Sequence, residues 1–70
     1  MTESQIGEYT ELININLNKI KRQVNQIEPG GGNSERFAII TRLLNDIAET
    51  IEIMDIDEYN EELKKEKKSK

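Results

Sequence analysis

Residues 28–33 read Glu28-Pro29-Gly30-Gly31-Gly32-Asn33, and this stretch divides the chain in two. Proline pushes the residue before it out of helical geometry. Consecutive glycines resist ordering in a helix and accept positive φ without steric penalty. A helix arriving from the N-terminal side stops here, and the segment reads as a flexible turn. The other use of such a run is to cradle phosphate at the start of the following helix. A phosphate-binding loop of that kind ends in Gly-Lys-Ser/Thr, which is missing.

On the N-terminal side, Ile6, Tyr9, Ile13, Leu17, Ile20, Val24 and Ile27 recur every three or four positions. That spacing puts them on one face of an α-helix. Asn14, Asn16, Asn18, Lys19 and Gln23 fall between them. Thr2 followed by Gln5 has the spacing of a capping box, so the helix is expected over about 3–26. At the standard rise it is about 36 Å long. Gly7 weakens its first turns by about 1 kcal/mol relative to alanine.

On the C-terminal side, Asn33 or Ser34 can cap a second helix, with Glu35 favoured in its first turn by the macrodipole. Phe37, Ile40, Leu44, Ile47, Ile51 and Met54 then alternate in steps of three and four, the signature of a coiled-coil-like seam. This helix is expected over about 34–58. Ile39, Leu43 and Ile53 form a second apolar row beside the seam, with Ala38 and Ala48 as small neighbours. Glu61 with Lys65 could extend the helix, but the lysine-rich stretch 61–70 reads as a solvated, disordered tail.

The expected architecture is all-α: a two-helix antiparallel hairpin over residues 1–60 that assembles into a homo-oligomeric bundle. One seam suffices to join the two helices. The second row, together with Leu12 and Ile15 on the first helix, needs another surface. Leaving large aliphatic side chains in water costs roughly 1.5–3 kcal/mol each relative to burying them. A chain of 70 residues has little core to offset that. Domains this small draw on disulfides, metals or association. With no cysteine and no histidine, the first two are unavailable in their usual forms, and no Asp-rich calcium loop is present.

Composition also narrows function. A net charge of −4 argues against a surface that coats nucleic-acid polymers. The longest apolar run, Phe37 to Ile40, is far too short to cross a bilayer, and no export signal opens the chain. A cytoplasmic location is expected. Without histidine or cysteine the commonest general base and the thiol nucleophile are missing. Carboxylate pairs such as Glu49 with Glu52 have the spacing of a solvated helix face. No catalytic residue, metal site or cofactor is assigned, and the chain reads as a non-enzyme.

Binding has more to draw on. Lys19, Lys21 and Arg22 cluster on the first helix, and Arg36 and Arg42 flank Thr41 on the second. Arginine and lysine pair with phosphate oxygens, a tyrosine such as Tyr9 can stack on a base, and Thr41 could supply a hydroxyl. Taken singly, each has an ordinary explanation: solvated cations on helix surfaces, and a tyrosine in register with the core stripe.

The run Asn33-Ser34-Glu35-Arg36-Phe37-Ala38-Ile39-Ile40-Thr41-Arg42-Leu43 resembles the phage anti-CBASS/anti-Thoeris helical hairpin family. Members carry a proline-containing loop, then Ser-Arg-Glu, a spacer and Ala-(Ile/Leu)-Thr-Lys-Leu. The resemblance covers about residues 9–54. It implies a compact oligomer, commonly a hexamer, that captures cyclic nucleotides or cyclic ADP-ribose signals of bacterial immunity between protomers in the host cytoplasm. It also implies Thr41 as the motif threonine, Arg42 in place of its lysine, Tyr9 as the base-stacking residue and Lys21 as a phosphate contact. Arg36 stands where some members carry a second arginine. The chain departs from the family in having Leu44-Asn45 where Glu-Glu follows the motif. The competing expectation is a helical protein-interaction module with no small-molecule ligand.

Overall fold

The computed structural model describes residues 1–68, with side chains through Lys65. Two helices make up the fold: α1 over Glu3–Asn25 and α2 over Ser34–Lys68. The anticipated capping box starts α1. Thr2 Oγ1 accepts from the Gln5 backbone N–H at 3.2 Å, and the Gln5 side chain accepts from the Thr2 N–H at 2.9 Å. The helix ends at Asn25, before the expected proline break, and the chain turns through Gly31 and Gly32. Their φ angles of +98° and +75° lie where side-chain-bearing residues are strained.

Asn33 closes the loop. Its carboxamide accepts from Glu28 N–H at 3.0 Å and donates to Glu28 C=O at 2.7 Å. Its backbone carbonyl meanwhile takes the Phe37 N–H at 2.9 Å, beginning α2. Helix α2 continues through Lys68, past the end anticipated near residue 58 and into the stretch read as a tail. Glu, Leu and Lys are strong helix formers, and Glu61–Lys65 has the supporting spacing. Residues 69–70 lie outside the described residues. No described helix is long and apolar enough to cross a membrane.

The seam differs from the one drawn from apolar spacing. On α1 the half-buried positions are Tyr9, Ile13, Asn16, Ile20 and Gln23; on α2 they are Arg36, Ile40, Leu43, Ile47, Thr50, Met54 and Asp57. Both sets follow heptad steps. Leu43 is therefore a seam residue, whereas Leu44 is 52% exposed, the reverse of the expectation. Phe37 and Ile51, also assigned to the seam, are exposed beside it. The cause is physical. Tyr9, Asn16, Gln23, Arg36, Thr50 and Asp57 put polar side chains into the seam, and Tyr9 with Asp57 and Arg36 with Gln23 bond across the pair, so apolar spacing alone points about one residue too far round the helix.

The result is one layer of two helices. Its Cα envelope measures 63 × 18 × 12 Å, only one helix thick. Among the described residues no apolar side chain is buried, and Asn33 alone is classed as buried. Domains ordinarily bury a core between two layers. Here the second layer is missing from the single chain.

Candidate functional site

Polar side chains join the helices at both ends of the seam. Near the open end, the Tyr9 hydroxyl donates to Asp57 Oδ2 at 2.9 Å. Near the loop, Arg36 Nη1 donates to Gln23 Oε1 at 3.2 Å and to Gln26 Oε1 at 2.7 Å. Arg36 Nε is enclosed and has no hydrogen-bond partner among the described residues. The hydrogen bond to Asp57, with partial desolvation and the Asp57 and Glu8 charges, raises the Tyr9 pKa above its ordinary value of 10.0. The Met1 amino group pairs with Glu61 at the open end.

Large apolar side chains stand exposed on both flanks of the seam. Phe37, Leu44 and Ile51 follow one another every seven residues, each one position after Arg36, Leu43 and Thr50. Leu17 and Val24 stand in the same relation to Asn16 and Gln23 on α1. In an antiparallel pair, these flanking positions of the two helices lie on the same side. Ile13, Ala48, Ile51 and Met54 line one groove whose other walls include Glu52, Asp55 and Glu58. Leu17, Val24, Phe37, Leu44 and Ile51 are each about half exposed, whereas Ile6 and Ile27 keep the seven-residue register of Ile13 and Ile20 and extend the seam row. This apolar face spans the loop half and the middle of the hairpin and gives way to Thr10, Glu3 and Glu58 toward the open end. On the opposite flank, Leu12 and Ile15 lie beside Glu8 and Glu11 on α1, and Ile39 and Ile53, each one position before Ile40 and Met54, are exposed on α2.

Charge is divided along the length. The loop half, residues 17–45, contains Lys19, Lys21, Arg22, Arg36 and Arg42 against Glu28 and Glu35. The open half contains Glu3, Glu8 and Glu11 on α1 with no cationic side chain. On α2 the same half adds Asp46, Glu49, Glu52, Asp55, Asp57 and Glu58, again with no cation through residue 60. The hairpin is an electrostatic dipole, positive toward its glycine loop.

The residues proposed from sequence for ligand binding are distributed unevenly over this frame. Lys21, Arg36, Thr41 and Arg42 belong to the positive loop half. Tyr9 stands twelve residues before Lys21, about 18 Å away along α1. Within one chain, Tyr9 and the cations do not meet. Lys21, Thr41 and Arg42 are exposed, and Arg36 is half-buried in the seam. The Thr41 hydroxyl donates to the Phe37 carbonyl at 3.0 Å, which leaves its lone pairs as acceptors. Beside Arg36, Gln23, Gly32, Glu35 and Ile39 line a shallow cleft.

Apolar periodicity missed Gln23, Asn33 and Asp57, which hold the loop and the seam. Asn33 carried a local signal, since a carboxamide after a glycine run suits a turn. Asp57 and Gln23 carried none, because their roles depend on partners 48 and 13 positions away. Among the described residues, no cluster of acidic side chains is arranged to hold a metal ion. No protein-family model, curated protein or solved structure matches this chain.

Proposed function

We propose that this chain is a non-catalytic hairpin that works as a homo-oligomer and sequesters a cyclic-nucleotide or cyclic-ADP-ribose-type signal at the junctions between copies. The observation that carries the assembly half is the half-exposed apolar face formed by Leu17, Val24, Phe37, Leu44 and Ile51 on a protein with no buried apolar side chain among its described residues. Exposed apolar patches of this extent are interaction surfaces.

The ligand half is supported by the resemblance of residues 33–43 and by the placement of cations. Lys21 and Arg42 are exposed in the loop half, where a phosphate-bearing ligand gains from the local positive field. Tyr9, held about 18 Å from Lys21 along α1, can share a small ligand with these cations only if it comes from another copy. A site built between protomers is the arrangement that reconciles them. Such a protein acts by stoichiometric capture and has no turnover.

Isothermal titration against a panel of cyclic di- and trinucleotides and cyclic-ADP-ribose isomers tests this. One of them should bind to the wild type, and both Lys21→Ala and Thr41→Ala should weaken that binding without changing oligomeric mass. Absence of heat with the whole panel, at micromolar protein, removes the ligand half.

The acidic open half supports a second reading. An apolar face flanked by carboxylates suits a basic amphipathic helix of another protein. A folded monomer that ignores the nucleotide panel would favour this interaction-module reading.

A further inference from the structure

We propose that a second copy of this chain covers the apolar face, lying antiparallel along it so that the two glycine loops sit at opposite ends of a four-helix bundle. The proposal rests on the self-association read above and deepens it by naming the face and the direction.

Area comes first. A compact monomer of this mass exposes about 4,500 Å² by the usual surface scaling. This chain of 8.1 kDa exposes 5948 Å². The elongated, one-layer shape of the pair produces the surplus. A specific interface needs about 800 Å² from each partner. The surplus is large enough to supply one. Stacking a second hairpin on the first also turns one layer into two, the arrangement in which helices bury a shared core.

Shape permits a two-fold relation. A symmetric dimer uses the same patch on both copies. The face centred on Leu17 and Leu44 can oppose itself because its neighbours one turn away are mostly small or neutral, Asn14, Thr41 and Ala48, with Lys21 at its edge. Lys21 can keep its ammonium in water at the rim while its methylene stem packs against the face.

Charge then sets the direction. With loops together, two loop halves rich in Lys and Arg would lie side by side, as would the two carboxylate-rich stretches 3–11 and 46–58 of each copy. With loops opposed, the positive half of each copy lies over the negative half of the other. Like charges brought together in an interface are penalised, and complementary potentials fix orientation. The sequence dipole selects the second arrangement.

The test uses the absence of native cysteine and the open space around Gly30, where an added Cβ meets nothing within 4 Å. Gly30→Cys, labelled with a nitroxide in the full chain, is measured by pulsed dipolar spectroscopy alongside light scattering. Opposed loops place the two labels beyond about 30 Å, given 1.5 Å of rise per residue on either side of the midpoint. An oligomer showing only distances below about 20 Å overturns the direction while leaving self-association standing. A monomeric mass with no dipolar modulation removes both. Leu44→Asp in the labelled chain, or Leu44→Ser if Asp prevents folding, should abolish the long distance. Survival of that distance in a variant that retains its helices would place the contact on another face and overturn the proposal.

Discussion

Tyr9 and Asp57 are 48 positions apart in sequence, and the phenol of one donates to the carboxylate of the other at 2.9 Å. This bond pins the open end of the hairpin, where neither turn nor covalent link holds α1 to α2. It also gives the fold a pH dependence. The folded chain holds the Tyr9 proton more tightly than the unfolded chain, because the raised pKa stands above the ordinary value of 10.0. The contribution is complete below that value and is lost as pH rises through the raised one. In Tyr59→Phe, which leaves a single phenol, absorbance titration should give a midpoint above 10.0. Asp57→Ala should bring it down toward that value, and an unchanged midpoint would remove the bond from the account.

Leu43 and Leu44 separate the two surfaces of α2. Leu43→Asp places a charge in the seam and should destabilise the hairpin by several kcal/mol, as charges forced against apolar partners do. Leu44→Asp places it on the outer face. It should raise the dissociation constant of the assembly at least 100-fold, equivalent to about 2.7 kcal/mol. Analytical ultracentrifugation with circular dichroism distinguishes them: Leu44→Asp should lose mass at concentrations where the wild type is assembled, and Leu43→Asp should lose helix first.

Asn33 makes both of its loop-closing bonds to the Glu28 backbone. Asn33→Ala leaves a half-enclosed N–H and C=O without those partners, a loss of about 1–3 kcal/mol. Chemical denaturation should show it as a lower midpoint with an unchanged slope. An unaffected midpoint would mean that the loop is held by its glycines alone.

Those glycines are not equivalent. Gly31 and Gly32 have φ of +98° and +75°, so alanine at either should destabilise by about 1 kcal/mol or more. Gly30 has neither a positive φ nor a neighbour near an added Cβ. Gly30→Ala should be neutral or slightly stabilising. Equal losses at all three would contradict the turn geometry.

The two helices were legible because capping, breaking and apolar periodicity are local properties. Thr2 with Gln5 marked one start, and Pro29 with the glycines marked the stop. The phase of the seam was less legible. Apolar spacing selected Leu44, since the true row includes Arg36 and Asp57, held by partners on α1, and Thr50, whose hydroxyl donates to the Asp46 carbonyl. The extension of α2 beyond residue 60 was hidden by lysine content, which reads equally as solvated tail or helix surface. For the candidate site, sequence could nominate Tyr9, Lys21, Arg36, Thr41 and Arg42. It could not reveal that Tyr9 and the cations fall in opposite halves of the hairpin, because that separation follows from helix length and pairing.

Two amphipathic helices in a single layer leave their apolar face uncovered, and covering it is the claim on which assembly, loop direction and shared sites all depend. Sedimentation equilibrium of the unmodified chain at low micromolar concentration addresses it directly. The account predicts a folded species at twice the 8.1 kDa chain mass or a higher multiple. A fully helical, cooperatively folding species at the mass of one chain would contradict it.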